Sequence, residues 1–358
     1  MNSLERVRRA IYFQGPDRIP HYLPDGEPND IIWLWPPRPS TGLATEWREF
    51  EPGRWYRIDE WGSRWERFGP SGNGEVVKPA LADWAQLDAI LALLATPPPL
   101  EPLAEIRHQV EQDAGEHYFL GVLQYPSLFE TAHGLRGMVN LLADFYEHPA
   151  EVGRLLDRLA ESQMLCIDLY ADCGVHGVMS YDDWGMQERP FISPRLWQHF
   201  FAPRYKQVWQ HARARGLDVW LHSCGYILPL LPMMIECGLN VIQMDQQENM
   251  GLENLGRAVG GRLAFWCPVD IQNTMVKGSE AEIEAYVRRM IYHLGRYNGG
   301  FISMAYSTPQ DVGHTPEKIA AMCRAFRRWG VYPLPREVIE EGRQTYGASH
   351  PRTDPSQD

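Results

Sequence analysis

The residues in this chain best suited to chemistry are His222-Ser223-Cys224-Gly225, with Cys267 further along. In an extended segment residues i and i+2 point to the same side, so the His222 imidazole and the Cys224 thiolate can converge on one ion. Cys267 stands at the corresponding end of a later apolar run. Two thiolates and one imidazole form a soft set that suits Zn2+ and leaves a fourth place for substrate or water. The alternative is that His222 makes a core hydrogen bond and the two cysteines are small buried residues.

Other polar groups collect at similar places. Asp182-Asp183-Trp184-Gly185, Asp245-Gln246-Gln247-Glu248, Cys267-Pro268-Val269-Asp270 and Tyr306-Ser307-Thr308 each follow a short apolar run. Asp182, Asp183 and Asp245 are candidate catalytic acids or bases. Asp25, Glu27, Trp184, Gln246, Asp270 and Tyr306 are candidate substrate contacts. For the acidic residues the competing role is helix capping or loop ordering.

These residues need a scaffold, and the hydrophobic pattern supplies one. Short apolar runs at 118–123, 177–181, 217–221, 240–244, 262–266 and 300–305 alternate with helical periods at about 149–173, 194–215, 227–237, 252–259, 279–297 and 315–329. Strands without polar alternation belong in a parallel sheet covered on both faces, and their alternation with helices predicts an α/β protein. Six strands here, with one or two from the first hundred residues, approach a single (β/α)8 TIM barrel, in which function sits on the loops after the strands. An open doubly wound sheet is the competitor, but no glycine-rich phosphate loop follows the first strand.

The first hundred residues read as an irregular N-terminal extension: a helix at 3–13, many Pro, Gly and Trp, including Pro36-Pro37, and a strand and turn with aromatic faces at 56–66. The whole of 1–340 is expected to be one barrel, and the polar segment 345–358 a disordered tail. With 34 Lys+Arg against 46 Asp+Glu the formal charge is −12. That balance excludes a nucleic-acid-coating protein and argues against a membrane-surface binder. The N-terminus lacks the apolar core of a signal peptide and no apolar run reaches about 18 residues, so a cytoplasmic location is expected. The six cysteines are too scattered for a disulfide scaffold and are read as free thiols or ligands.

Several stretches together resemble the uroporphyrinogen decarboxylase superfamily. They are Tyr181-Asp182-Asp183-Trp184-Gly185, Ile192-Ser193-Pro194, Phe201-Ala202-Pro203-Arg204-Tyr205, His222-Ser223-Cys224-Gly225, Gly299-Gly300-Phe301-Ile302, Thr315-Pro316-Glu317-Lys318-Ile319 and Asp59-Glu60-Trp61-Gly62. The resemblance spans roughly 5–330 and implies a TIM barrel, often a homodimer, acting on a small-molecule substrate. One branch decarboxylates uroporphyrinogen without a cofactor, holding the pyrroles with an aspartate matched by Asp182. The segment 17–27 lacks that branch's Arg-Gln-Ala-Gly-Arg pattern and carries Asp25 and Glu27, which would repel a polycarboxylate.

The other branch moves methyl groups between corrinoid proteins and thiols, with zinc held by His-x-Cys and a later cysteine. His222 and Cys224 match the pair. Where the later cysteine is expected this chain has Ser307, so Cys267 is the stand-in. The expectation is therefore a zinc-dependent methyltransferase with a corrinoid protein as partner. The alternatives are a cofactor-free decarboxylase working through Asp182 and a ligand-binding barrel without turnover.

Overall fold

The computed structural model describes residues 1–24, 26–35, 41–72, 74–123 and 126–345. Asp25, Pro36-Pro37 and nearly all of the expected tail lie outside them. In chain order the strands are β1 His21–Tyr22, β2 Ile31–Leu34, β3 Arg48–Glu51, β4 Arg54–Ile58, β5 Arg64–Phe68, β6 Glu75–Lys78, β7 Tyr118–Leu123, β8 Gly177–Tyr181, β9 Asp218–His222, β10 Val241–Gln243, β11 Ala264–Cys267 and β12 Phe301–Met304.

The described residues fall into two compact units. The unit Ile31–Gln243 holds five parallel strands, with β2 paired to β7, β7 to β8, β8 to β9 and β9 to β10. The other, formed by residues 1–30 and those from 244 onward, holds three, with β12 between β1 and β11. Eight parallel strands alternating with helices make the fold class a (β/α)8 TIM barrel. Every residue of β7, β11 and β12 is buried, as strands covered on both faces must be.

The N-terminal extension is more ordered than its composition predicts. It contains a four-stranded antiparallel sheet, β3-β4-β5-β6. On one of its faces Arg and Trp alternate. The Arg57 guanidinium lies 5.6 Å from the Trp65 ring and 5.3 Å from Trp47, and that of Arg67 lies 4.1 Å from Trp47 and 5.9 Å from Trp55. Such stacking favours a half-exposed sheet with little core of its own.

Helix bounds follow local signals. Ser279 and Thr315 cap Glu280–Gly295 and Pro316–Trp329 through their side chains. The helix expected at 194–215 is two helices, Pro194–Phe200 and Ala202–Ala214, because Pro203 cannot continue a preceding helix but fits a first turn. That expected at 227–237 begins only at Leu231. No helix among the described residues is long and apolar enough to cross a membrane.

Candidate metal centre at the ends of β8 and β9

The ends of β8 and β9 continue side by side past the last ladder pair, Tyr181 opposite His222. The Asp182 N–H donates to the His222 carbonyl at 3.0 Å, and the Trp184 N–H to Ser223 Oγ at 3.0 Å. The Gly185 N–H then reaches the Cys224 carbonyl at 3.1 Å. Two glycines allow this approach. A Cβ on Gly185 would lie 2.3 Å from the Tyr226 nitrogen. One on Gly225, whose φ is +77°, would lie 2.2 Å from the Gly185 oxygen. Asp-Asp-Trp-Gly and His-Ser-Cys-Gly are thus the two halves of one contact.

The loop after β8 is anchored from below by its neighbours. The Trp184 indole is fully buried, stacked on Phe129 with centroids 4.4 Å apart. Its Nε1–H donates to Tyr205 Oη at 3.1 Å, and Tyr205 donates in turn to Asp182 Oδ2 at 2.6 Å. Asp182 also accepts N–H groups from Phe129 at 2.7 Å, Glu130 at 2.9 Å and Leu128 at 3.3 Å. It caps the N-terminus of the helix Phe129–Arg136 from another strand. Burial pushes its carboxyl up to about 7 although four donors favour the ionised form. The sequence reading made Asp182 catalytic and Trp184 a substrate contact. Both are wholly buried, the Trp184 Nε1–H and both Asp182 carboxyl oxygens hydrogen-bonded within the protein.

Asp183 turns the other way, its side chain 42% exposed. Its Oδ1 accepts the Cys224 N–H at 2.7 Å and lies 3.3 Å from His222 Nε2, which lies 3.4 Å from Cys224 Sγ. One oxygen, one nitrogen and one sulfur therefore lie within 4.8 Å of one another. Ligands bound tetrahedrally to zinc at about 2.0–2.3 Å sit about 3.3–3.6 Å apart, and the two separations from His222 Nε2 fall in that range. Burial opposes charge on both Asp183 and His222, but their mutual hydrogen bond and attraction prevail. The carboxyl is held below its usual range and the imidazole well above its own. Cys224 adds to the upward push on His222.

Sequence reasoning missed three residues around this group. Gln243 accepts from His222 Nδ1 through Oε1, and Glu130 accepts the Asp183 N–H at 3.3 Å. His133 lies 2.8 Å from Glu130. A glutamine among the buried apolar residues Val241, Ile242 and Met244 was one legible signal, and Glu130-x-x-His133 on one helix face was another. A second group of metal-donor types, Asp144, Glu147 and His148, is compromised by the bond from Arg136 Nε to Asp144 at 2.6 Å.

The remaining sequence candidates belong to the other unit. Cys267 is fully buried there, and burial, with Asp245 adding, pushes its thiol well above the ordinary range. The donor group contains Asp183 and not Cys267. Asp270 is 7% exposed and caps Thr274–Lys277, accepting the Thr274 N–H at 2.9 Å. Glu27 pairs with Arg327. Asp245, Gln246 and Tyr306 are half-buried, Tyr306 lying 6.2 Å from the His314 ring, and Ser307 is exposed. None of the six cysteines forms a disulfide among the described residues.

Fold and site together define a TIM barrel with a mixed-donor group at its strand ends. The chain belongs to the uroporphyrinogen decarboxylase family, whose model, described as Uroporphyrinogen decarboxylase (URO-D), matches residues 71–329. It is 27% identical over 172 residues to the uroporphyrinogen decarboxylase of Shewanella piezotolerans, covering 47% of this chain and 46% of that protein. It is 25% identical over 187 residues to that of Methylococcus capsulatus, covering 50% and 49%. The matched stretch thus spans about half the length of these curated relatives. A methyltransferase from Methanosarcina mazei has a similar solved structure, with a TM-score of 0.66 at 14% identity over 92% of this chain and 99% of that one. At that identity the likeness is one of fold.

Proposed function

We propose that this chain is a metal-dependent methyl-transfer enzyme of the family, holding Zn2+ with Asp183, His222 and Cys224. The observation that carries this reading is the convergence of three different donor atoms, 3.3–3.4 Å apart through His222 Nε2, on a half-open surface at the strand ends. Nitrogen, sulfur and oxygen donors together suit zinc, and three protein ligands leave room for a small molecule. Zinc held by these residues would supply one thing, a lower pKa for an acceptor thiol at neutral pH.

The protein's own groups do the rest. Asp183, its carboxyl held below the usual range, stands beside His222 with the Cys224 sulfur. Asp182, Tyr205 and Trp184 keep the loop that bears Asp183 from moving. In the reaction the acceptor sulfur forms the S–C bond to the methyl group, and the donor keeps the electron pair of the bond that breaks. A corrinoid protein fits as donor, and a small thiol as acceptor.

The test is methyl transfer from methylcobalamin to a small thiol. The reading predicts turnover that disappears with a strong chelator, returns with added zinc and is lost in Cys224→Ser. Carbon dioxide release from a porphyrinogen acid that survives the chelator and Cys224→Ser would overturn it in favour of a decarboxylase. Thiol-independent ligand binding without turnover would overturn it in favour of a binding barrel.

A further inference from the structure

Strand register places Tyr181, His222 and Gln243 in one row across β8, β9 and β10, with His222 directly opposite both neighbours. The Tyr181 ring lies 4.9 Å from the imidazole at 32°, which limits how far the imidazole can tilt. On the other side Gln243 Oε1 meets His222 Nδ1. The two contacts restrict different motions: the phenol ring covers a face, and the amide fixes an edge.

An amide oxygen can only accept, so its partner Nδ1 must carry a proton. In the neutral ring the remaining lone pair is then on Nε2, the nitrogen that faces Asp183 and Cys224. Without the acceptor, the ring could turn or adopt the other tautomer, leaving Nδ1 as the donor atom on the wrong side. Gln243 is 2% exposed, and its strand neighbours Val241 and Ile242 are fully buried apolar residues. A polar side chain costs free energy there unless its hydrogen bonds are made, and the one to His222 is made toward the donor group.

We propose that Gln243 is a positioning residue of the metal centre: it holds the Nδ1 proton of His222 and thereby presents Nε2 to the ion. This rests on the zinc site proposed above. A ring nitrogen held by an outer hydrogen bond is the usual means by which a histidine ligand is oriented, and loss of such a partner weakens metal binding about 10- to 100-fold.

The experiment is zinc affinity by competition with a chromogenic chelator, measured on wild type, Gln243→Leu and Gln243→Glu. Nitrogen NMR of 15N-histidine-labelled, zinc-loaded wild type is run beside it. Affinity is expected to fall about 10- to 100-fold in Gln243→Leu and to stay within about threefold of wild type in Gln243→Glu, which keeps the acceptor. The NMR is expected to show His222 with its proton on Nδ1 and the metal on Nε2. Equal affinity in Gln243→Leu, or ligation through Nδ1, would overturn the positioning role and leave the zinc site standing. Wild type that binds no zinc would overturn both. The wild-type spectrum and Gln243→Glu decide the matter even if Gln243→Leu does not fold.

Discussion

Two rows of side chains, one in each unit, each bring a histidine near a cysteine but leave the two imidazoles in opposite electrostatic settings. In one unit Tyr181, His222 and Gln243 lie opposite one another, with Cys224 two residues beyond the histidine. In the other His21, Ser303 and Cys267 lie opposite one another across β1, β12 and β11. Both histidines bond through Nδ1, His222 to Gln243 and His21 to Ser303 Oγ at 2.7 Å. Yet His222 is held above its ordinary range, whereas His21 is pushed down to about 3 by burial and by the Arg18 charge. The difference lies in what faces the second nitrogen. Asp183 and Cys224 stand at His222 Nε2, while His21 Nε2 is buried with no hydrogen-bond partner among the described residues. What separates the two histidines is the carboxylate and the opening to solvent at His222.

The largest expected effect separates the two cysteines. Cys224→Ser should lower zinc affinity by about three orders of magnitude, whereas Cys267→Ser should leave it within about twofold in the same chelator competition. Comparable losses in both variants would dissolve the contrast between the rows.

Gly225→Ala comes next. A Cβ at positive φ against the Gly185 carbonyl should cost about 3–4 kcal/mol in denaturant unfolding, since neither backbone can retreat without parting the two loops. A variant as stable as wild type would show that the close approach is not needed. Asp182→Ala should cost about 3 kcal/mol by leaving several buried donors unpaired, through stability first and activity second. A variant that folds normally but loses turnover would instead return Asp182 to the chemistry.

The smallest effect, taken per pH unit, is a slope of at most one proton, about 1.4 kcal/mol per unit, from the sealed row. The unfolded chain protonates His21 near the ordinary 6.5 of histidine and the folded chain only at about 3. Between those values unfolding takes up a proton, so stability should fall as pH falls through that window. His21→Gln, which can keep a bond to Ser303, should flatten the slope. An unchanged slope would mean that His21 is not held neutral.

Much of this was legible in the sequence, though unevenly. The six later strands stand out as apolar runs, and Glu280–Gly295 and Pro316–Trp329 carry their caps in Ser279 and Thr315. His-x-Cys was legible because its spacing is local. The third donor was not. Choosing Asp183 over Cys267 depends on two loops touching at Gly185 and Gly225, a contact 40 residues apart that no periodicity announces. Asp182 and Asp183 are adjacent and chemically identical, and only the helix at Phe129 and the hydroxyl of Tyr205 tell them apart. The antiparallel sheet in the N-terminal extension was hidden for a similar reason. Its strands carry Arg–Trp stacks in place of an apolar stripe, and a composition rich in Pro, Gly and Trp reads as irregular.

The central claim is that Asp183, His222 and Cys224 form a zinc site, and metal analysis of protein purified without chelator tests it most directly. The account predicts about one equivalent of zinc in wild type and in Cys267→Ser, and less than about a tenth in Cys224→Ser. Wild type with less than about a tenth of an equivalent that takes up none on addition of zinc, or zinc retained in full by Cys224→Ser, would contradict it.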